Sequence, residues 1–148
     1  MGKIIIIFLL STFPLIGQSV ELNPNTKIYE VVVIDSLGTT PEERILSFKK
    51  QMISLNYDDI KAQENSLSGE SYFTKQIMGS AMEVHFNTII DFQPDRYRIT
   101  LNKFYVNDVR YGQYTFEDMK AGTRRRWVNL VNEKIPDIIN QLRFIDNW

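Results

Sequence analysis

Cysteine is absent from the 148-residue chain, which excludes disulfide bonds, thiolate metal sites and a cysteine nucleophile. Histidine occurs once, as His85, and neither an HExxH spacing nor a serine elbow accompanies it. The seven glycines are scattered, so a glycine-rich phosphate loop is missing as well. The formal net charge of −1 lacks the basic excess typical of nucleic-acid modules. We therefore expect no cofactor and no nucleic-acid partner.

One long apolar run is present, and it lies at the N-terminus. Lys3 precedes an unbroken apolar stretch that continues weakly to Ile16, and small or polar residues follow it. The run is too short to span a bilayer comfortably, so the pattern predicts a signal peptide over residues 1–19 and a periplasmic or secreted protein. A buried N-terminal strand and an uncleaved anchor are the alternatives. Because no cysteine follows the run, we expect no stable membrane anchor after cleavage.

The remaining chain has the length of one domain. Residues 20–27 are polar and show no periodicity, which predicts a flexible leader. A single domain is expected over residues 28–148. It opens with Ile28–Asp35, whose centre is β-branched on both sides, as in a strand that is covered on both faces.

The next segment has the N-terminal capping signals of a helix. Thr40 is the predicted N-cap, Pro41 occupies the first helical position and Glu43 completes a capping box. We expect the helix to end near Asn56. Its buried stripe is predicted to contain Ile45, Phe48, Met52 and Leu55, with Leu46 and Ile53 on the flanks.

A meander of antiparallel strands is predicted to follow. The expected strands cover residues 60–65, 70–77, 83–92 and 97–105, with turns at 66–69, 78–81 and 93–96. Residues 106–122 are compatible with a short strand or a packed loop. A second helix is predicted from Thr123 or Arg124 towards Arg143, with a kink or break at Pro136. Helices beside a mainly antiparallel sheet define an α+β fold.

His85 has three possible roles: a general base, a metal ligand or a solvated histidine on a strand face. In the 83–92 strand, Val84 and its alternate neighbours form the apolar face, and Glu83, His85, Asn87 and Asp91 share the wetter one. Asp91 lies about 20 Å from His85 in an extended strand, so one metal ion cannot use both. We predict a solvated His85 and no metal or catalytic residues.

The strand Ile28–Gly38, the capped helix Thr40–Met52, the strand Glu70–Phe73 and the hairpin Val84–Phe104 resemble the DUF4468 family. Its members are small exported bacterial proteins of unknown function. The resemblance implies a TBP-like fold, in which a curved antiparallel sheet carries two helices packed on one face. It implies no reaction, because the family offers no catalytic residues to transfer. Nor does the fold imply DNA binding, since function belongs to sites and the wetter face has mixed charges.

The most unusual local feature is the run Arg124, Arg125 and Arg126 beside Trp127. Three arginines at a helix start oppose the helix dipole, so local electrostatics does not explain them. They form either a docking patch for an anionic partner surface or a solvated turn that pairs with neighbouring acidic residues.

These features lead to a hypothesis of a non-enzymatic binding or interaction module of the cell envelope. Its partner, an unknown protein or envelope component, would engage the wetter sheet face or the Arg124–Trp127 region. A small periplasmic ligand carrier or a hydrolase with an unrecognised site is the alternative, and a structural envelope subunit also stays open. An aromatic side chain exposed on the open sheet face would favour a binding platform.

Overall fold

The computed structural model of the protein describes residues 19–143. The predicted signal peptide, apart from Ser19, and residues 144–148 lie outside this range. The elements in chain order are β1 (Glu21–Leu22), β2 (Tyr29–Ser36), α1 (Pro41–Ser54), β3 (Asp58–Gln63), β4 (Ser66–Ile77), β5 (Ser80–Phe92), β6 (Arg96–Asp108), β7 (Gly112–Thr115) and α2 (Ala121–Arg143).

The described strands form one antiparallel sheet of seven strands. Their order is β1-β2-β6-β5-β4-β3, and β7 pairs with the second half of β6. The long hairpins β4–β5 and β5–β6 form the centre of the sheet. A two-helix, seven-strand arrangement confirms the predicted α+β class. The segment 106–122, which the sequence left open, contains β7.

One face of the sheet packs against both helices and forms the hydrophobic core. Phe48 of α1 is fully buried, and its ring lies 5.8 Å from that of Phe92 and 5.1 Å from that of Tyr97. The strand residues of this face alternate with polar ones, as expected for a sheet with one solvated side. They include Val31, Val33, Val84, Ile90, Ile99, Leu101, Phe104 and Val106.

Helix α1 begins as predicted. The Thr40 hydroxyl accepts a hydrogen bond from the Glu43 amide at 3.3 Å, and Pro41 occupies the first helical position. Phe48 and Met52 of the predicted stripe are fully buried, and Ile45 and Leu55 are partly buried against the same core.

The predicted turn at 66–69 is wrong, because these residues open strand β4. Ser-Leu-Ser-Gly has a turn-like composition, but Gly69 serves a different purpose. A Cβ atom at Gly69 would lie 2.6 Å from Cε of Met52 and 3.3 Å from the Asp58 carbonyl oxygen. Glycine therefore leaves room for the end of the Met52 side chain and for the β3 backbone at Asp58.

Helix α2 runs from Ala121 to Arg143 without the break that Pro136 predicted. Its buried stripe consists of Trp127, Val131, Ile135, Ile139 and Leu142. The Arg143 guanidinium lies 3.2 Å from the Asp35 carboxylate and ties the end of α2 to the end of β2. Neither helix in residues 19–143 combines the length and apolarity that crossing a bilayer requires.

The segment 20–27 differs from the predicted flexible leader. Glu21 and Leu22 pair with β2, and Val20 is buried. The Val20 amide also donates to Oδ1 of Asn132 in α2 at 2.7 Å. Local composition missed this placement, because the partners are distant in sequence.

Candidate functional site

Strand β6 contains a bulge that changes which residues face the helices. Lys103 and Phe104 together face the single residue Phe86 of β5, and Lys103 has a left-handed φ of 52°. Before the bulge, Leu101 is buried under the helices. After it, Phe104 takes the buried side and Tyr105 is left on the open face, opposite the helices. The extra residue therefore reverses which side chains in the second half of β6 face the helices.

At the same point β6 changes its neighbour. It pairs with β2 as far as Asn102 and with β7 from Tyr105 onwards. One hydrogen bond ties the end of β7 to β6, and another ties the start of β2 to the loop that follows β7. The Phe116 amide donates to the Phe104 carbonyl oxygen at 3.1 Å, and the Tyr29 amide donates to Oε1 of Glu117 at 3.0 Å. The space between the ends of β2 and β7 remains open as a cleft.

The cleft has a volume of about 380 Å³, within the range of roughly 300–1,000 Å³ typical of small-molecule sites. Its walls combine apolar and aromatic groups with a few polar ones. Two carboxylates, from Glu70 and Glu117, and one ammonium group, from Lys103, lie in the lining. The complete lining is Ile28, Glu70, Phe86, Asn87, Lys103, Phe104, Tyr105, Thr115 and Glu117.

Beside the cleft, three rings from three neighbouring strands form a stack on the open face. The His85 ring lies 4.7 Å from the Tyr105 ring, at an interplanar angle of 5°. On its other side, the Tyr72 ring lies 5.0 Å away at 28°. The register explains the stack, because His85 pairs with Tyr72 of β4 and with Tyr105 of β6. His85 is thus covered by two rings and is not the solvated histidine that the sequence predicted.

Hydrogen bonds hold the middle ring of this stack. His85 Nε2 lies 2.9 Å from Glu83 Oε2, and Asn107 donates to the same oxygen at 3.4 Å. The bond from His85, followed by that from Asn107, lowers the pKa of the Glu83 carboxyl. Burial raises the pKa of Tyr105, and the Glu70 and Glu83 carboxylates raise it further. Tyr105 therefore keeps its hydroxyl proton at neutral pH and is available as a donor.

Among residues 19–143, the only hydrogen-bond partner of the His85 ring is Glu83, so no nucleophile is held against it there. The same range contains no cluster of three His, Asp or Glu side chains that could hold a metal ion. What the described part of the chain offers is an aromatic wall and a ring of polar groups.

Arg124, the first residue of the predicted docking patch, has its side chain directed into the fold. Its guanidinium donates to the carbonyl oxygens of Phe116, Glu117 and Met119 at 2.7, 3.0 and 2.5 Å. It also lies over the Tyr29 ring, 5.4 Å from the centroid. These contacts secure the loop that carries Glu117, one wall of the cleft.

The other patch residues are divided between core and surface. Trp127 is buried among the core residues, whereas Arg125 and Arg126 are exposed on α2. The structure therefore leaves two of the four side chains accessible to a partner, on the helical side of the molecule. The cleft and the surface formed by Arg125 and Arg126 are therefore two separate candidate binding sites.

The opposite end of the open face has a different character. Arg98 and Asp91 are neighbours across strands and form an ion pair at 2.7 Å. A smaller depression of about 200 Å³ lies there, lined by Ile34, Asp91, Gln93, Arg96, Tyr97 and Arg98. Because this depression has about half the volume of the cleft at the bulge and its one carboxylate already pairs with Arg98, the cleft at the bulge is the candidate site.

Sequence reasoning missed the bulge and with it the site. The pattern gave no sign of a role for Tyr72, and it did not decide which aromatic side chains lie on the open face. One signal was present: the apolar residues Leu101 and Phe104 are three apart, which interrupts the period of two along β6. That break predicts an extra residue and places Tyr105 on the wetter face.

The fold is similar to two solved structures. A crystal structure of a DUF4468 family protein from Bacteroides ovatus has a TM-score of 0.59 at 11% identity, covering 90% of this chain and 95% of that one. A TBP-like protein from Parabacteroides distasonis has a TM-score of 0.53 at 14% identity, covering 79% and 95%. No family model and no curated protein matches the sequence. The likeness confirms the TBP-like α+β fold that the resemblance implied, and at these identities it concerns the fold alone.

Proposed function

We propose that the protein is an exported, non-enzymatic binding module of the cell envelope, and that the cleft beside Tyr105 holds a neutral sugar ring. The observation that carries the proposal is the stack of Tyr72, His85 and Tyr105 ending at a cleft of about 380 Å³. Export rests on the signal-peptide pattern of residues 1–19.

The aromatic wall supports a ring-shaped ligand. One side of the Tyr105 ring is covered by His85, and the cross-strand neighbour on its other side is Thr115, which also lines the cleft. A sugar presents a flat face of C–H groups that packs on an aromatic ring. His85 and Tyr72 restrict the movement of Tyr105, so little conformational entropy is lost on binding.

The polar groups around the cleft support a neutral ligand with hydroxyls. Carboxylates accept hydrogen bonds, the Lys103 ammonium donates them, and the Asn87 amide does both. Sugar hydroxyls also donate and accept. A phosphate-bearing ligand would meet the carboxylates of Glu70 and Glu117 against a single lysine.

The exposed Arg125 and Arg126 are proposed as a second contact surface, for an anionic protein or envelope component. A ligand carrier typically encloses its ligand, and a hydrolase needs either a nucleophilic side chain or a general base that activates water. The Glu117 carboxylate, one candidate base in the cleft, already accepts a hydrogen bond from the Tyr29 amide. The open cleft and the contacts of His85 favour a binding module over both.

The test is an NMR titration of the full chain with neutral trisaccharides of glucose and of N-acetylglucosamine. We expect amide shifts at Asn87, Lys103 and Tyr105, and none around Arg98. Replacing Tyr105 with alanine is expected to weaken binding at least about tenfold, because the aromatic wall is lost.

Tyr111→Ala is the matched control, since Tyr111 is an exposed tyrosine outside the cleft. It should bind as the unmodified chain does. Failure of both trisaccharides to bind, or equal binding by the Tyr105→Ala variant, would overturn the proposal.

A further inference from the structure

Two hairpin tips lie side by side at one end of the sheet. The β4–β5 tip consists of Met78 and Gly79, and the β6–β7 tip consists of Val109, Arg110 and Tyr111. Antiparallel pairing of β5 with β6 brings them together, because Met82 at the start of β5 is opposite Asp108 at the end of β6. We call these five residues the tip pair.

The tip pair exposes three large apolar side chains. Met78 is 99% exposed, Val109 is 95% and Tyr111 is 79%. Single exposed apolar residues are ordinary, but three on adjacent protrusions form a patch.

Met78 occupies a position that suits other residues better. Both residues of its two-residue connection have positive φ, 49° for Met78 and 77° for Gly79. Asn, Asp and Gly are favoured at the first position of such turns, because they tolerate the left-handed region. A methionine there does not serve the turn, so its side chain is the feature that requires explanation.

We propose that the tip pair inserts into the surface of a lipid bilayer. Met78 and Val109 would enter the acyl boundary, and Tyr111 has the apolar body and polar tip that suit the headgroup region. The sequence around the tips, residues 78–81 and 109–113, contains one charged residue, Arg110, whose positive charge complements anionic lipid.

A bilayer fits this surface better than a protein partner does. Three side chains on two separate tips do not form the continuous surface of roughly 800 Å² per partner that a stable protein interface buries. A bilayer needs no matching concave surface, so small protrusions can insert. The inference does not rest on the cleft, which lies elsewhere on the open face.

The first test measures flotation of residues 20–148, the chain expected after signal-peptide removal, with vesicles of phosphatidylethanolamine and phosphatidylglycerol. The variant Met78→Ser/Val109→Ser/Tyr111→Ser is expected to lower the vesicle-bound fraction about tenfold, because the inserted apolar area is lost. The matched control Ile34→Ser/Leu46→Ser/Ile53→Ser removes three apolar residues that are 61%, 54% and 58% exposed elsewhere. It should bind vesicles like the unmodified chain.

A second measurement reports on the tips directly and does not depend on the N-terminal segment. Because the chain has no cysteine, Ala81→Cys provides a unique site for an environment-sensitive dye beside the tips, and Ala62→Cys provides one on β3. Vesicles should shift the dye emission to the blue at position 81 but not at 62. No shift at position 81, an equal shift at both, or a tip-dependent dimer in sedimentation without such a shift would overturn the proposal.

Discussion

The two faces of the sheet are built from the same strands and differ in almost every other respect. On the face towards the helices, Phe48 packs against Phe92 and Tyr97, and these side chains have little or no exposure. On the open face, Tyr72 is 48% exposed and stacks on His85 beside a cleft. Alternation along a strand thus assigns one set of residues to stability and the other to a surface available for contact.

The faces are linked at the bulge. There, Phe104 keeps the core continuous while Tyr105 is turned to the open side. The difference between the faces implies that substitutions should divide into those that unfold the protein and those that change only its surface.

The largest effect is expected for Phe48→Ala, which removes a fully buried ring from the helix face. The free energy of unfolding should fall by about 3–5 kcal/mol, from lost burial and the cavity that remains. Urea denaturation measures the change. Ile34→Ala on the open face is the control and should cost less than about 1 kcal/mol. Equal losses would contradict the division between the faces.

The next effect tests how the helical side supports the cleft. Arg124→Ala should lower the free energy of unfolding by about 2 kcal/mol, because three carbonyl oxygens lose a charged donor. Thermal denaturation compares it with Arg125→Ala, which should change stability by less than about 0.5 kcal/mol. NMR shifts at Glu117 are expected in the first variant only. Similar behaviour of the two would show that Arg124 does not secure the loop.

A smaller effect is expected for His85→Ala on the open face. Two stacking contacts are lost at a partly exposed position, so the cost should be about 1 kcal/mol. The packing of the open face should change more than the free energy of unfolding does, so amide exchange at Tyr105 should accelerate. Chemical denaturation with exchange measurements checks both. A loss as large as that of Phe48→Ala would place the stack in the core.

The smallest effect concerns pH. The bonds from His85 and Asn107 lower the pKa of Glu83 in the folded state, so the ionised carboxylate favours folding. This stabilisation is complete above the unfolded pKa of about 4.3 and is lost as pH falls through the lower folded value. The difference in urea midpoint between the unmodified chain and Glu83→Gln should therefore shrink below about pH 4. A difference that stayed constant would contradict the role of Glu83.

Much of the architecture was predictable from local patterns. The cap at Thr40, the alternation in β5 and the turn at 93–96 are carried by neighbouring residues, and each prediction is confirmed. The candidate site was predictable only in part. His85 was assigned to the wetter face correctly, but its two stacking partners come from other strands.

The residue pattern of the sequence was sufficient to predict the α+β class and the capped helix. It also predicted the face on which each strand residue lies, as far as a bulge. These features depend on neighbours within a few residues. Tertiary structure decided the rest. It turned Ser66–Gly69 into strand, directed Arg124 into the fold and left Arg125 outside. It also brought Tyr72, His85 and Tyr105 into one stack. The physical reason is the same in each case: pairing and packing partners far apart in the chain outweigh local preference.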